Sequence, residues 1–143
     1  MVRFKTAFAA IAVVMIIHIF AISAGAYHAV TWFDVPMHFF GGYVMAMLGL
    51  AGYSWITERV DIRPKADPKA KFARTILEGM FVVGFAMIIS VAWEWYEFLF
   101  DQFATNMVRE YGFAQMGLPD TMNDFLNDFV GAMVAWGLWR QRA

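Results

Sequence analysis

Four long apolar stretches dominate the sequence, and they limit the folds that the chain can adopt. They cover approximately residues 7–29, 35–57, 75–100 and 120–139. The hydrocarbon core of a bilayer is about 30 Å thick, so a helix that crosses it needs about 20 predominantly apolar residues. Each stretch is long enough, and we therefore predict four transmembrane helices.

Composition favours a membrane protein over a soluble domain. Hydrophobic residues make up 61% of the chain and charged residues only 16%, which is more apolar than a typical soluble domain. Nearly all of the 143 residues belong to the predicted helices. We therefore expect one all-α, polytopic transmembrane domain over residues 1–143. The chain has no cysteine, which excludes disulfides and thiolate chemistry.

Basic residues predict the orientation of this domain. Nearly all lie before the first predicted helix, between the second and third, or after the fourth: Arg3, Lys5, Arg59, Arg63, Lys65, Lys69, Lys71, Arg74, Arg140 and Arg142. Only Arg109 lies elsewhere. By the positive-inside rule, both the N and the C terminus are cytoplasmic.

The first helix also has features of a signal peptide. Basic residues precede an apolar run that ends near Ala24-Gly25-Ala26, which fits a cleavage site. The run is longer than the usual core of about 7–15 residues. We therefore expect the helix to be retained.

Ionisable side chains cluster at the outer ends of the last three predicted helices. A carboxylate placed in hydrocarbon costs about 2.5–3.5 kcal/mol, so such a cluster needs compensation. Residues three or four apart share a helix face, and the acids of each helix therefore form one stripe. The residues are Asp34, His38, Glu94, Glu97, Asp101, Asp120, Asp124 and Asp128.

A bound cation is the simplest compensation for these acids, because Arg109 is the only basic residue on the outer side. Carboxylates with one imidazole form a hard site that suits Mg²⁺, Mn²⁺ or Ca²⁺, and less readily Zn²⁺. The alternative is that the carboxyls are protonated and form a structural or proton-carrying network. We predict as metal ligands His38, Glu94, Glu97, Asp124 and Asp128, with weaker candidates Asp34, Asp101 and Asp120.

Some of the ionisable residues have simpler interpretations. Asp120 fits helix capping as well as metal ligation, and Thr121 with Asp124 fits a capping box. We expect Glu78 in the first turn of the third predicted helix, where the helix dipole favours a carboxylate, and we exclude it from the site. His18 is expected to be a hydrogen-bonded packing residue.

Small residues lie beside the acidic stripes of the second and fourth predicted helices. Such residues let helices approach closely in membranes. We therefore expect these two helices to pack tightly through Gly41, Gly42, Gly131, Ala132 and Ala135.

Three motifs in this order resemble a known family. They are Asp34-x-x-x-His38 with Gly41-Gly42, then Trp93-Glu94-x-x-Glu97-Phe98, then Asp120-Thr121-Met122-x-Asp124 and Asp128 with Gly131-Ala132. Over roughly residues 30–135 the chain resembles the YjdF-like bacterial inner-membrane proteins and, more distantly, the VanZ-like group. The resemblance implies a multi-pass protein of the bacterial inner membrane and, on the VanZ-like side, an association with envelope and glycopeptide response. It supplies no reaction.

These observations lead to one functional hypothesis and two alternatives. The first is a divalent-cation site in the outer half of the bilayer, with metal-dependent chemistry on a lipid or lipid-linked phosphate. The alternatives are a cation- or proton-binding transport component and a structural accessory subunit of a membrane complex. Whether the protein is an enzyme stays open. The expected partners are membrane lipid and a second copy of the chain or another membrane protein, whereas nucleic acid is excluded because the basic residues only mark topology.

Overall fold

Helices account for all the regular structure in the residues that the computed structural model describes, which are 2–30, 32–60, 67–104, 107 and 114–140. The all-α prediction is therefore confirmed for these residues. Arg63, Lys65, Arg109 and Arg142 lie outside them. The helices are α1 (Phe4–Ser23), α2 (Ala26–Ala29), α3 (Asp34–Arg59), α4 (Pro68–Phe103) and α5 (Leu118–Trp139).

Three of the described helices, α1, α3 and α4, are long and apolar enough to cross a membrane. The fifth helix, α5, is not among them, although its 22 residues are sufficient in length. Its first half is the reason, because aspartates and asparagines alternate there with apolar residues: Asp120, Asn123, Asp124, Asn127 and Asp128.

The first predicted helix ends earlier than its apolar run. Gly25 follows α1 with a φ of 67°, a left-handed conformation that glycine adopts without the steric cost of a β-carbon. The chain therefore turns at Gly25, and the short helix α2 follows instead of a continuous helix to residue 29.

The helix α4 begins earlier than predicted. Asp67 accepts a hydrogen bond from the backbone N–H of Lys69, and Pro68 occupies the first helical position, where a missing N–H has no cost. The expectation that Glu78 lies in a first helical turn is therefore wrong. Glu78 is buried about three turns into α4 and accepts a hydrogen bond from the indole N–H of Trp136 on α5 at 3.2 Å.

The closest contact in the fold joins α3 and α5. A β-carbon at Gly42 would overlap the backbone carbonyl of Asp128, and one at Gly131 would overlap the carbonyl of Phe39. The backbones can meet this closely only because both positions lack side chains. The predicted tight packing of these two helices through glycine is confirmed.

The remaining helices pack around this pair. Buried side chains of α3, α4 and α5 form one core: Ala46, Met47, Leu50, Ala51, Val82, Ala86, Ala132 and Ala135. The first helix packs on α3 through its buried Ala7. At the end of α1, the His18 ring meets the edge of Trp93 on α4, with ring centroids 5.2 Å apart.

Substitution of the contact glycines tests this packing. Gly42→Ala and Gly131→Ala are each expected to lower the free energy of unfolding by about 1–3 kcal/mol, because the added methyl group forces the backbones of α3 and α5 apart. Gly84→Ala and Gly137→Ala are matched controls, since a β-carbon there meets open space. Thermal unfolding in detergent measures the difference, and equal stability of all four variants would contradict the described contact.

Candidate metal centre

The predicted acidic cluster forms where α3 and α5 begin and α4 ends. Asp34 and His38 come from the first two turns of α3, Glu94 and Glu97 from the last turns of α4, and Asp124 and Asp128 from α5. His38, Glu94, Asp124 and Asp128 are buried, and Asp34 and Glu97 are half-buried. The structure therefore brings His38 into contact with Asp128, 90 positions away in the chain.

The His38 ring lies at the centre of the cluster. Its Nε2 lies 3.6 Å from Oδ1 of Asp34 and 3.8 Å from Oδ1 of Asp124. Its Nδ1 lies 3.1 Å from Oδ2 of Asp128. One ring nitrogen thus faces two carboxylates, whereas the other is held by a third.

Asp128 fixes the imidazole in this orientation. Its Oδ2 accepts a hydrogen bond from the Ser90 hydroxyl on α4 at 2.5 Å. When Asp128 accepts a hydrogen bond from Nδ1–H of His38, a neutral ring presents the lone pair of Nε2 to the cluster. Histidines that bind metals usually donate their other ring N–H to a carboxylate or carbonyl in the same way.

Among the described residues, two buried carboxylate oxygens have no hydrogen-bond partner. They are Oε1 of Glu94 and Oδ1 of Asp124, and their residues are only 3% and 1% exposed. Buried polar atoms are nearly always paired, and an unpaired one costs about 1–3 kcal/mol or more for a charged group. These oxygens therefore need a ligand or a proton.

The ionisable side chains form two overlapping groups that could hold a metal ion. The first contains Asp34, His38 and Asp124, and the second His38, Glu94 and Glu97. In each group one ligand atom from every residue lies within 4.8 Å of the others. Opposite ligands around Mg²⁺ are about 4.2 Å apart and those around Ca²⁺ about 4.6–5.2 Å. Small side-chain rotations would therefore allow either group to bind one ion.

Two of the weaker candidates bind backbone groups instead. Asp101 accepts the N–H groups of Ala114 and Gln115 at 2.8 and 2.9 Å, and Asp120 accepts the N–H of Met116 at 3.0 Å. The two hydrogen bonds to Asp101 hold the segment before α5 against the end of α4. Neither aspartate is a member of the two metal-binding groups found among the described residues.

The capping predictions at the start of α5 are wrong. The helix begins at Leu118, with Gly117 as the residue that precedes it and no side-chain cap. Asp120 and Thr121 therefore lie within the helix. Proline suits the first turn of a helix, because a backbone N–H there would have no partner within the helix. Pro119 therefore favours a helix start ahead of the predicted capping residues.

The rim of the cluster contains further polar contacts. Oε1 of Glu97 accepts the indole N–H of Trp93 at 2.8 Å. The side-chain amide of Gln115 donates to Thr121 at 3.1 Å and contacts Oε2 of Glu94 at 3.4 Å. Glu94 therefore has one oxygen near an amide and one without a partner.

A second histidine lies beside the cluster rather than in it. His18 on α1 forms a 2.6 Å hydrogen bond through Nδ1 with the Tyr27 hydroxyl, and its ring packs against Trp93. The prediction that His18 is a hydrogen-bonded packing residue is confirmed.

Sequence reasoning did not identify Ser90 and Gln115 as partners of the cluster. Ser90 lies four residues before Glu94, on the same face of α4, so helical periodicity was a usable signal. Gln115 has no such signal, because it precedes α5 and reaches Glu94 only through the fold.

No lysine or arginine of the described residues lies at this end of the bundle. They lie near the start of α1 and α4 or near the end of α3 and α5, at the opposite ends of the helices: Arg3, Lys5, Arg59, Lys69, Lys71, Arg74 and Arg140. Among the described residues, His38 contacts three of these acids and is able to carry positive charge.

Comparison with known protein families gives a match over almost the whole chain. Residues 2–143 match the family described as "Predicted membrane protein (DUF2238)". No curated protein and no solved structure matches the chain. The YjdF-like resemblance is consistent with this family, whereas the distant VanZ-like relation stays a prediction. Because the match spans nearly the entire sequence, the chain belongs to the DUF2238 family of predicted membrane proteins.

Proposed function

We propose that the protein binds a divalent cation among Asp34, His38, Glu94, Glu97 and Asp124. The observation that carries this proposal is the pair of buried, unpartnered oxygens on Glu94 and Asp124, which belong to the two groups that share His38. A cation in either group gives the carboxylate of that group a partner and offsets negative charge that no nearby lysine or arginine of the described residues neutralises.

The donor set favours a hard cation. Carboxylate oxygens outnumber the single imidazole, which suits Mg²⁺, Mn²⁺ or Ca²⁺ better than Zn²⁺. Mg²⁺ usually keeps several water molecules and binds through a few carboxylates together with phosphate oxygens of a substrate. The site therefore also fits a function in which a phosphate completes the coordination.

We assign Asp128, which the sequence predicts as a metal ligand, a positioning role instead. It contacts Nδ1 of His38 and accepts a hydrogen bond from Ser90, so it acts through the imidazole. It orients the ring so that Nε2 faces the ion.

The chemistry that this arrangement supports is metal-assisted reaction of a lipid or lipid-linked phosphate. A divalent cation clamps phosphate oxygens and lowers the pKa of bound water. Glu97 is half-buried at the rim of the cluster and is the best placed carboxylate to accept a proton from such a water. The alternatives, a transport component or an accessory subunit, use the same site without a reaction.

We also propose that α5 spans the membrane with α1, α3 and α4, with both termini cytoplasmic, in a bacterial inner membrane. Two of the aspartates that lower the hydropathy of α5, Asp124 and Asp128, are buried, and Asp128 contacts α3 and α4. Most exposed side chains of α5 are apolar, Leu126 and Leu138 among them, although Asn123 is also exposed. A helix with polar groups inward and apolar groups outward suits a lipid environment.

Metal content tests the proposed site directly. The purified protein incubated with Mn²⁺ is expected to retain about one ion per chain, and Glu94→Gln and Asp124→Asn are each expected to reduce retention by about tenfold or more, because loss of a charged ligand removes at least about 1.4 kcal/mol of binding energy. Mass spectrometry of the eluted metal measures the ratio.

Glu78→Gln is the matched control for this measurement. Glu78 is a buried glutamate of the same helix, but it binds Trp136 at the opposite end of the bundle. It is expected to retain the ion like the wild type. Loss of metal in all three variants, or in none, would contradict the assignment.

The positioning role of Asp128 makes a separate prediction. Asp128→Asn is expected to weaken Mn²⁺ binding by about 10–100-fold while one ion per chain still binds at saturation, as for partners of metal-ligating histidines elsewhere. A titration followed by Mn²⁺ electron paramagnetic resonance gives both affinity and stoichiometry. Unchanged affinity would show that Asp128 does not act through His38.

Single cysteines test the topology, because the natural chain has none. A membrane-impermeant maleimide is expected to label Met116→Cys in intact cells, and Lys69→Cys and Gln141→Cys only after permeabilisation. Labelling of both Met116→Cys and Gln141→Cys from outside would show that α5 does not cross the membrane.

A further inference from the structure

A cavity of about 100 Å³ lies between α1, α3 and α4 and adjoins the acidic cluster. This volume is several times the roughly 10–15 Å³ that one water molecule requires. The first helix contributes one wall, and Met15 on that wall is 38% exposed. The cavity is therefore accessible from the surface that α1 presents to its surroundings.

The cavity has two chemically different ends. Apolar side chains form most of its walls: Ile11, Val14, Met37, Val44, Ala86 and Ile89. Asp34, His38, Glu97 and Asp128 line the part that meets the acidic cluster. An occupant that suits both ends has an apolar chain and a polar head.

We propose that this cavity holds an apolar chain of a membrane lipid whose phosphate lies at the acidic cluster. Placement of the phosphate rests on the proposed cation site, because negative carboxylates without a cation repel a phosphate. Placement of the apolar chain rests on the cavity alone.

A lipid chain is the occupant that the surroundings favour. The cavity lies between helices that are long and apolar enough to cross a membrane, so hydrocarbon chains surround it. Apolar cavities stay dry and bind apolar ligands of matching size. A chain in this cavity gains dispersion contacts with the apolar walls and also directs its head group to the polar end.

The junction of the two ends has its own polar contacts. The Tyr27 hydroxyl and His18 are hydrogen-bonded to each other, and Trp93 binds Glu97. All four side chains line the cavity. These contacts add polar groups to the cavity wall beside the acidic cluster, of which Glu97 is itself a member.

Tryptophan substitutions that fill the cavity test the chain assignment. Val14→Trp and Ile89→Trp fill it from α1 and from α4, whereas Val13→Trp and Ile88→Trp are matched controls one residue away at exposed positions. Each Mn²⁺-loaded variant is titrated with dioleoyl phosphatidic acid and with dioleoylglycerol, and bound lipid is counted by native mass spectrometry. Metal content is measured on the same samples.

The expected result is a selective loss of lipid binding. Val14→Trp and Ile89→Trp are each expected to weaken phosphatidic acid binding by about tenfold, because the indole fills the space that the chain occupies, with metal content unchanged. The two control variants are expected to bind like the wild type, and dioleoylglycerol is expected to bind more weakly than phosphatidic acid.

Equal phosphatidic acid affinity in the wild type and all four variants would overturn the chain assignment. Equal affinity for the two lipids would overturn placement of the phosphate at the cluster. Absence of metal from the wild type would contradict the proposed function instead, and the paired tryptophan variants then decide the chain assignment on their own. The use of two filling variants on different helices guards against misfolding of either one.

Discussion

The fold places several carboxylates around one imidazole in a buried position, and the rest of the structure depends on how that charge is compensated. Each buried carboxylate costs several kcal/mol unless it is paired or neutralised. Asp128 is satisfied by His38 and Ser90, and Asp101 by backbone groups. Among the described residues, Glu94 and Asp124 each retain an oxygen with no hydrogen-bond partner. A bound cation is the compensation that we propose for them, and it fits the orientation of His38.

The geometry of the cluster depends on the contact between α3 and α5. Gly42 and Gly131 allow the two backbones to meet beside Asp128 and Phe39, which brings His38 within reach of Asp124 and Asp128. A larger residue at either glycine would move the imidazole away from its carboxylates. Packing and chemistry are therefore linked in this bundle, and the glycines are as important for the site as the ligands.

Much of the fold and the cluster followed from the sequence because burial and helical periodicity are local signals. The apolar stretches predicted the long helices, and the spacing of His38, Glu94 and Asp124 predicted that they share one level. The sequence did not separate Asp128, which holds the imidazole, from residues that face the interior of the cluster, since this depends on the rotation of α3 against α5. The helix starts were also missed, because Pro68 and Pro119 set them through backbone geometry.

Crystallographic detection of a bound ion is the sharpest test of the proposed cation site. Anomalous diffraction from crystals grown with Mn²⁺ is predicted to show one peak within coordinating distance of Nε2 of His38 and of carboxylate oxygens of Glu94 or Asp124. Absence of a peak there, with His38 and the aspartates in direct contact, would contradict the account. The cluster would then be a network in which protons, and not a metal, compensate the buried carboxylates.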